Sequence, residues 1–305
     1  MKKLLFILLL FIATVTIFVV WFYRSAKPLS GKEEFKDFLI IKGLGASQIA
    51  QKLQKDGFIK NALAFKVYVQ VTGAASKIQA GEYRLSSNIS LFEIVGQLKK
   101  GPVEIWVTIP EGLRKEEIAQ RFAKSLGKDT LFLSEFLETA EEGYLFPDTY
   151  LFPKDASASA IVGKLTRTFD TKTFEMDITR DQVILASLIE RETKTNEERP
   201  IVAGILTNRL NVGMALQVDA TIQYAKGNWE PVALGDKSLN SPYNTYRFPG
   251  LPPGPIANPG LSSLEAAANP ADTDYFYYLH DSKGKIYYAK TLAEHNENIR
   301  RYLTD

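Results

Sequence analysis

The sequence predicts an α+β protein: an N-terminal transmembrane helix, a small α+β module, and then a larger mixed α+β domain that carries the chemistry. Three observations predict it. Residues 4–23 are uncharged and almost wholly apolar. A strand, glycine turn and helix pattern occurs twice, Gly43-Leu44 returning as Gly112-Leu113 69 residues on. From Asp181 onward, helical spacings alternate with one long Pro/Gly-rich loop and a C-terminal hairpin. Composition narrows the function. The 305 residues include no cysteine and two histidines, His280 and His295, which excludes a disulfide framework, a thiolate nucleophile and a His-rich metal site. No metal or cofactor is expected. Lys+Arg at 37 against Asp+Glu at 35 gives no electrostatic case for a nucleic-acid partner.

The apolar run has the length of a membrane span. At ~1.5 Å per residue, about 20 residues cross a ~30 Å hydrocarbon core. Only Thr14 and Thr16 dilute it, and Trp21, Phe22 and Tyr23 sit where an aromatic belt belongs. A cleaved signal peptide would have an apolar region of ~7–15 residues and a small-x-small site. Arg24-Ser25-Ala26-Lys27-Pro28 is a poor one. Residues 1–24 therefore read as an uncleaved anchor in membrane lipid. Lys2 and Lys3 favour an inside N-terminus, a bias that Arg24 and Lys27 blunt.

Residues 25–102 read as the first small module and residues 103–155 as a second, with a linking loop. In the first, residues 38–41 are a strand, residues 43–45 a turn, and residues 46–56 a helix with Ile49 and Leu53 on one face, capped by Gly57. In the second, a strand over residues 105–109 precedes Gly112, and Ile118-Ala119-Gln120-Arg121-Phe122 repeats Ile49-Ala50-Gln51-Lys52-Leu53. Ser90-Leu91-Phe92-Glu93 is a capping box for a helix that ends before Gly101. Such units look like the LysM type of glycan-binding module, although strand, glycine turn and amphipathic helix is also a common packing unit. Residues 134–143 add a short helix. The aromatic run that follows carries Pro147 and Pro153, so it reads as a rigid loop or edge strand.

Residues 156–305 form the last domain. Residues 181–195 lack Gly and Pro and read as a helix. On its wheel Glu192 falls about 20° from Leu185, between Leu188 and Ile189, whereas Glu190 points about 140° away. A carboxylate aligned with large aliphatic side chains is poorly solvated, so its pKa rises, as a general acid requires. The alternative is a glutamate that ends the stripe and reaches water. A second helix spans residues 200–213. Residues 213–224 alternate like a strand, with Gln217, Asp219 and Thr221 on one face; three polar groups in a row suit a hydroxyl- and acetamido-rich ligand, or a solvated edge. Residues 241–260 are rich in Pro and Gly and form a loop of restricted shape. A helix over residues 264–268, a hairpin of residues 275–280 and 285–289, and a helix over residues 292–303 close the chain. His280 and His295 read as structural, since neither accompanies a Ser nucleophile motif.

Together these segments resemble one family. They are Ala186-Ser187-Leu188-Ile189-Glu190-Arg191-Glu192-Thr193, Asn208-Arg209-Leu210, Gly213-Met214-x-Leu216-Gln217-x-Asp219-x-Thr221, Tyr243-Asn244-Thr245-Tyr246, and Gly250-Leu251-Pro252-Pro253-Gly254-Pro255-Ile256-x-Asn258-Pro259-Gly260. The chain is similar to the endolytic murein transglycosylase (MltG or YceG-like) family. One departure is Ala220, where that family often has Pro. The resemblance implies that Glu192 is the catalytic acid; Gln217, Asp219, Thr221, Asn244 and Tyr246 are the residues then expected to hold acetamido and hydroxyl groups of the substrate. It also implies that the substrate is peptidoglycan, cut at the MurNAc-GlcNAc β-1,4 bond to leave 1,6-anhydro ends, on nascent strands beside peptidoglycan synthases. Two readings stay open: a muramidase-type hydrolase using Asp219 or Glu190 as partner carboxylate, and a non-catalytic glycan-binding scaffold.

Overall fold

The computed structural model describes residues 2–303. The chain divides into two compact units, Met1–Val107 with Tyr150–Asp155 and Thr108–Thr149 with Ala156–Asp305.

The first unit begins with α1 (Lys2–Ala26), followed by β1 (Phe35–Ile40), α2 (Ala46–Lys55), α3 (Ala62–Val71), β2 (Gly81–Ser86), α4 (Leu91–Lys100) and β3 (Glu104–Thr108). Within α1, Lys3–Ala26 is long and apolar enough to cross a membrane, and its most apolar window has no side chain buried. Local chemistry explains the helix starts. Ser90 N donates to Glu93 Oε2 at 2.7 Å while Glu93 N donates to Ser90 Oγ at 3.3 Å, the reciprocal box read from the sequence. Asn61 caps α3 through its Oδ1. β1 pairs antiparallel with β2 and β2 with β3, so α2 and α3 lie between two paired strands. Phe38, Leu53, Phe65, Leu85, Ile94 and Leu98 are fully buried at the centre. Both glycine turns take the left-handed backbone expected of them, Gly43 at φ +94° and Gly112 at φ +74°.

The second unit contains α5 (Lys115–Leu126) and α6 (Thr130–Thr139). The chain then returns to the first unit as β4 (Thr149–Pro153), the tail of the aromatic run and one of the two edge strands in the order β1-β2-β3-β4. After it come α7 (Ala158–Thr173), α8 (Arg180–Glu192), α9 (Glu198–Asn211), α10 (Asp219–Lys226), α11 (Leu261–Ala268), the hairpin β5 (Tyr277–His280) and β6 (Ile286–Ala289), and α12 (Leu292–Tyr302). α8 is the axis of the unit. Seven consecutive residues, from Val183 to Ile189, are buried, so the helix is enclosed all round rather than along one stripe. Val202, Ala203 and Leu206 of α9 and Leu264 and Ala267 of α11 share its core.

Three expectations change. Residues 219–226 are helix, not strand: apolar residues alternate over residues 216–220, but Val218 is the N-cap of α10 and Thr221 turns inward. α3, β2 and α7 were not anticipated, and α6 begins at Thr130 rather than Ser134. Asn258 then shows what fixes the Pro/Gly loop. It is fully buried; its Oδ1 accepts from Gly143 N at 3.0 Å and Leu145 N at 2.9 Å, and its Nδ2 donates to Leu113 O at 2.9 Å and Glu142 Oε1 at 2.6 Å. Replacing Asn258 with Ala leaves the buried N–H groups of Gly143 and Leu145 unmet, whereas Leu113 O keeps the Asn258 backbone N–H and Glu142 keeps Lys115 N, so Asn258→Ala lowers stability by roughly 2–4 kcal/mol in chemical unfolding of the full chain; an effect under about 1 kcal/mol contradicts this account.

Candidate active site

The two glutamates near the end of α8 have opposite surroundings. Glu190 is locked: its Oε2 accepts from Ser263 Oγ at 2.7 Å and Gly260 N at 3.0 Å, and its Oε1 accepts from Arg199 Nη2 at 3.3 Å. Arg199 Nε donates to the same Ser263 Oγ at 2.9 Å. Both side chains are under a tenth exposed. This cluster joins α8, α9 and α11, and both Glu190 oxygens are occupied within it.

Glu192 instead opens into a cleft of about 610 Å³ whose walls include Arg209, Asp219, Tyr246, Tyr277 and Tyr278. Tyr278 OH donates to Glu192 Oε2 at 2.8 Å. The residue keeps intermediate exposure through the cleft mouth, while its carboxyl is surrounded by protein. That burial is the largest influence on its pKa and raises it above the ordinary 4.5. The Tyr278 hydrogen bond, next in size, pulls it back; the Asp219 carboxylate pushes it up, and Arg209 and Arg191 draw it down. As the last residue of α8, Glu192 also sits at the negative end of the helix dipole, which disfavours a second negative charge. The net direction is upward, as expected for a proton donor near neutral pH.

The walls are rigid. Arg209 Nε donates to Phe276 O at 2.7 Å and Nη1 to Leu216 O at 2.6 Å. Its guanidinium lies 5.3 Å from the Tyr277 ring. Arg191 stacks 3.8 Å over Trp229, whose Nε1 donates to Glu117 Oε2 at 3.0 Å. Burial holds the Tyr278 hydroxyl well above the ordinary range, so it remains a hydrogen-bond donor. His295 also lines the cleft, its ring 5.3 Å from that of Tyr277. Burial, then Arg209, lowers its pKa, which disfavours the charged imidazolium.

Of the anticipated binding residues, Gln217, Asp219 and Tyr246 line this cleft with Glu192. Tyr246 OH donates to Asp219 Oδ1 at 2.6 Å, with Lys237 4.4 Å over its ring. Gln217 adopts φ +53°, a strained backbone for a residue with a Cβ, and this concentrates at functional sites. Thr221 and Asn244 lie elsewhere. Thr221 is fully buried and donates to Val218 O at 2.7 Å, so Thr245 Oγ1, 3.0 Å away, supplies the proton between the two hydroxyls. Asn244, also fully buried, donates to Lys237 O at 3.1 Å and Leu239 O at 2.8 Å and accepts from Tyr246 N at 3.0 Å. It shapes the loop that presents Tyr246. Sequence reasoning missed Tyr278, which reaches Glu192 across 86 residues of chain; the aromatic run over residues 275–278 was its only mark.

The YceG-like family profile matches residues 38–301. An endolytic murein transglycosylase of Bacillus subtilis is 35% identical over 300 residues, covering 86% of this chain and 83% of that protein. One from Streptococcus pneumoniae is 28% identical over 319 residues, covering 87% of this chain and 58% of that protein. The crystal structure of a YceG-like protein from Listeria monocytogenes matches with a TM-score of 0.55 and 31% identity, over 87% of this chain and 99% of that one.

A carboxyl whose folded pKa is raised keeps its proton in the native state over pH values where the unfolded chain has lost it. Between 4.5 and the folded value the unfolded state therefore binds fewer protons, and stability falls as pH rises. Glu192→Gln removes this penalty. The variant is expected to melt at a higher temperature than the wild type at pH 8 and at the same temperature near pH 4; a variant less stable at pH 8 would count against the raised pKa.

Proposed function

Because the chain belongs to the YceG-like family, we propose that it is a murein lytic transglycosylase anchored in the bacterial cytoplasmic membrane, its catalytic part outside the cytoplasm. The observation that carries the reading is the buried Glu192 carboxyl, raised in pKa and held by Tyr278 in a polar cleft. In this reading residues 1–24 anchor the chain, residues 25–102 form a LysM-like glycan-binding module, residues 103–155 form the second module and linking loop, and residues 156–305 form the catalytic domain. The two helices between the paired strands β1 and β2 support the module. Lys3–Ala26 supports the anchor.

Glu192, protonated, donates to the oxygen bridging C1 of an N-acetylmuramic acid ring to C4 of the next N-acetylglucosamine. The C1–O bond breaks and the N-acetylglucosamine leaves with its 4-hydroxyl. The muramic ring's own C6 hydroxyl attacks C1 and passes its proton to the Glu192 carboxylate, which restores the acid. A 1,6-anhydro end results and no water is consumed. Nucleophile and electrophile share a ring, so effective molarity is high and one carboxyl suffices. Gln217, Asp219 and Tyr246 bind acetamido and hydroxyl groups; Thr221 and Asn244 hold the surrounding backbone. A short tether favours nascent strands near the membrane, where cutting ends elongation beside the murein synthases.

Asp219 faces the same cleft, which keeps a two-carboxylate hydrolase as the second reading. Digestion of purified murein by the full chain in detergent separates them: transglycosylation yields fragments whose summed mass equals that of the substrate, hydrolysis adds one water per cut. Glu192→Gln is expected to lower kcat by about 10²–10⁴-fold, and undiminished release of anhydro ends would refute the assignment. Tyr278→Phe removes a bond that favours the charged carboxylate, so the Glu192 pKa rises further. Since the reaction needs the protonated acid, the alkaline limb of the pH-rate profile should move to higher pH.

A further inference from the structure

α1 runs past the expected membrane boundary into the first unit. Trp21 and Phe22 pack on that unit's core, Ala26 is 1% exposed, and the Phe22 and Phe92 ring centroids lie 6.1 Å apart. The loop ahead of α3 flanks the same stretch of helix, and between them is a cavity of about 520 Å³. Its wall changes chemistry along the helix axis. Along α1 the lining runs from Thr16, Ile17 and Val20 through Trp21 to Arg24 and Ser25, and the loop ahead of α3 contributes Lys60 and Asn61. At ~1.5 Å per residue, Ile17 and Arg24 are about 10 Å apart along the axis, the step from acyl-chain depth to head-group depth. Among the described residues neither Arg24 nor Lys60 has an ion-pair partner. Asn61 Oδ1 is occupied by Leu63 N at 2.8 Å and Ala64 N at 3.1 Å, which leaves its amide NH₂ to donate.

We propose that this cavity binds an anionic membrane phospholipid, the phosphate between Arg24, Lys60 and the Asn61 amide and an acyl chain along Ile17 and Val20. An apolar slot that ends in two unpaired cations matches an amphiphile with an anionic head, and Trp21 suits the interface between its halves. The inference rests on α1 spanning a bilayer, part of the reading above, and is independent of the glycan chemistry.

The test uses the full chain in detergent, titrated with phosphatidylglycerol or phosphatidylcholine and followed by native mass spectrometry. The wild type should retain phosphatidylglycerol in preference, and Arg24→Ala and Lys60→Ala should each reduce that preference about fivefold. Lys32→Ala with Lys77→Ala, exposed lysines outside the cavity, should leave it unchanged. Equal retention of both lipids by the wild type, or an undiminished preference in the Arg24→Ala/Lys60→Ala variant, overturns the proposal. So does displacement of the lipid by millimolar inorganic phosphate, which would mark a site for the free anion. Alkaline washing of membranes separates the two readings: a chain that washes off refutes the anchor, whereas one that stays but shows no lipid preference refutes this site alone.

Discussion

A carboxyl group kept from water at the end of a helix is costly to ionise, and here the surroundings oppose a charge on Glu192 without forbidding it. Burial and the helix end push towards the neutral acid; Tyr278, Arg209 and Arg191 stabilise the anion. The proposed mechanism, in which Glu192 gives its proton and then takes one back, uses both influences at once. Each depends on fixed geometry: Arg209 is tied to two carbonyls, Arg191 is stacked on Trp229, and α8 is enclosed from Val183 to Ile189. The second unit is organised around the balance at this one side chain.

The contrast with Glu190 shows how little separates a carboxyl open to a cleft from one locked in a cluster. Both glutamates belong to the same helix two positions apart, and both are shielded. Glu190 meets a guanidinium, a hydroxyl and a backbone N–H that occupy both of its oxygens. Glu192 meets one phenol on one oxygen. Glu192 thus keeps unmet hydrogen-bonding capacity that faces the cleft.

Elements written in local sequence were legible. The apolar run of α1, the Ser90 and Glu93 box, the glycine turns ahead of α2 and α5 and the C-terminal hairpin all follow from residues within a few positions of one another. The wheel of α8 separated Glu190 from Glu192 because 3.6-residue geometry is intrinsic to the chain. α10 was misread because Leu216 and Val218 alternate with polar Gln217 and Asp219 where the helix is only beginning, and a short window cannot distinguish that from a strand. Thr221 and Asn244 were placed on the ligand because polarity shows capacity for hydrogen bonds, not which partner meets it; here Thr245 and the backbone of the loop do. Tyr278 depends on a contact between distant segments, which local patterning does not encode.

In the proposed anchor, the passage of α1 from bilayer into protein without an intervening coil makes it a ruler and not a leash. Ala26 is sealed in the core and the Phe22 ring lies tilted against that of Phe92, so in that reading the first unit has no slack with which to rise, sink or swivel against the membrane plane. Each residue added within the helix would lift that unit by about 1.5 Å and turn it by about 100°. Its stand-off and azimuth are thus written into the number of residues in a single helix.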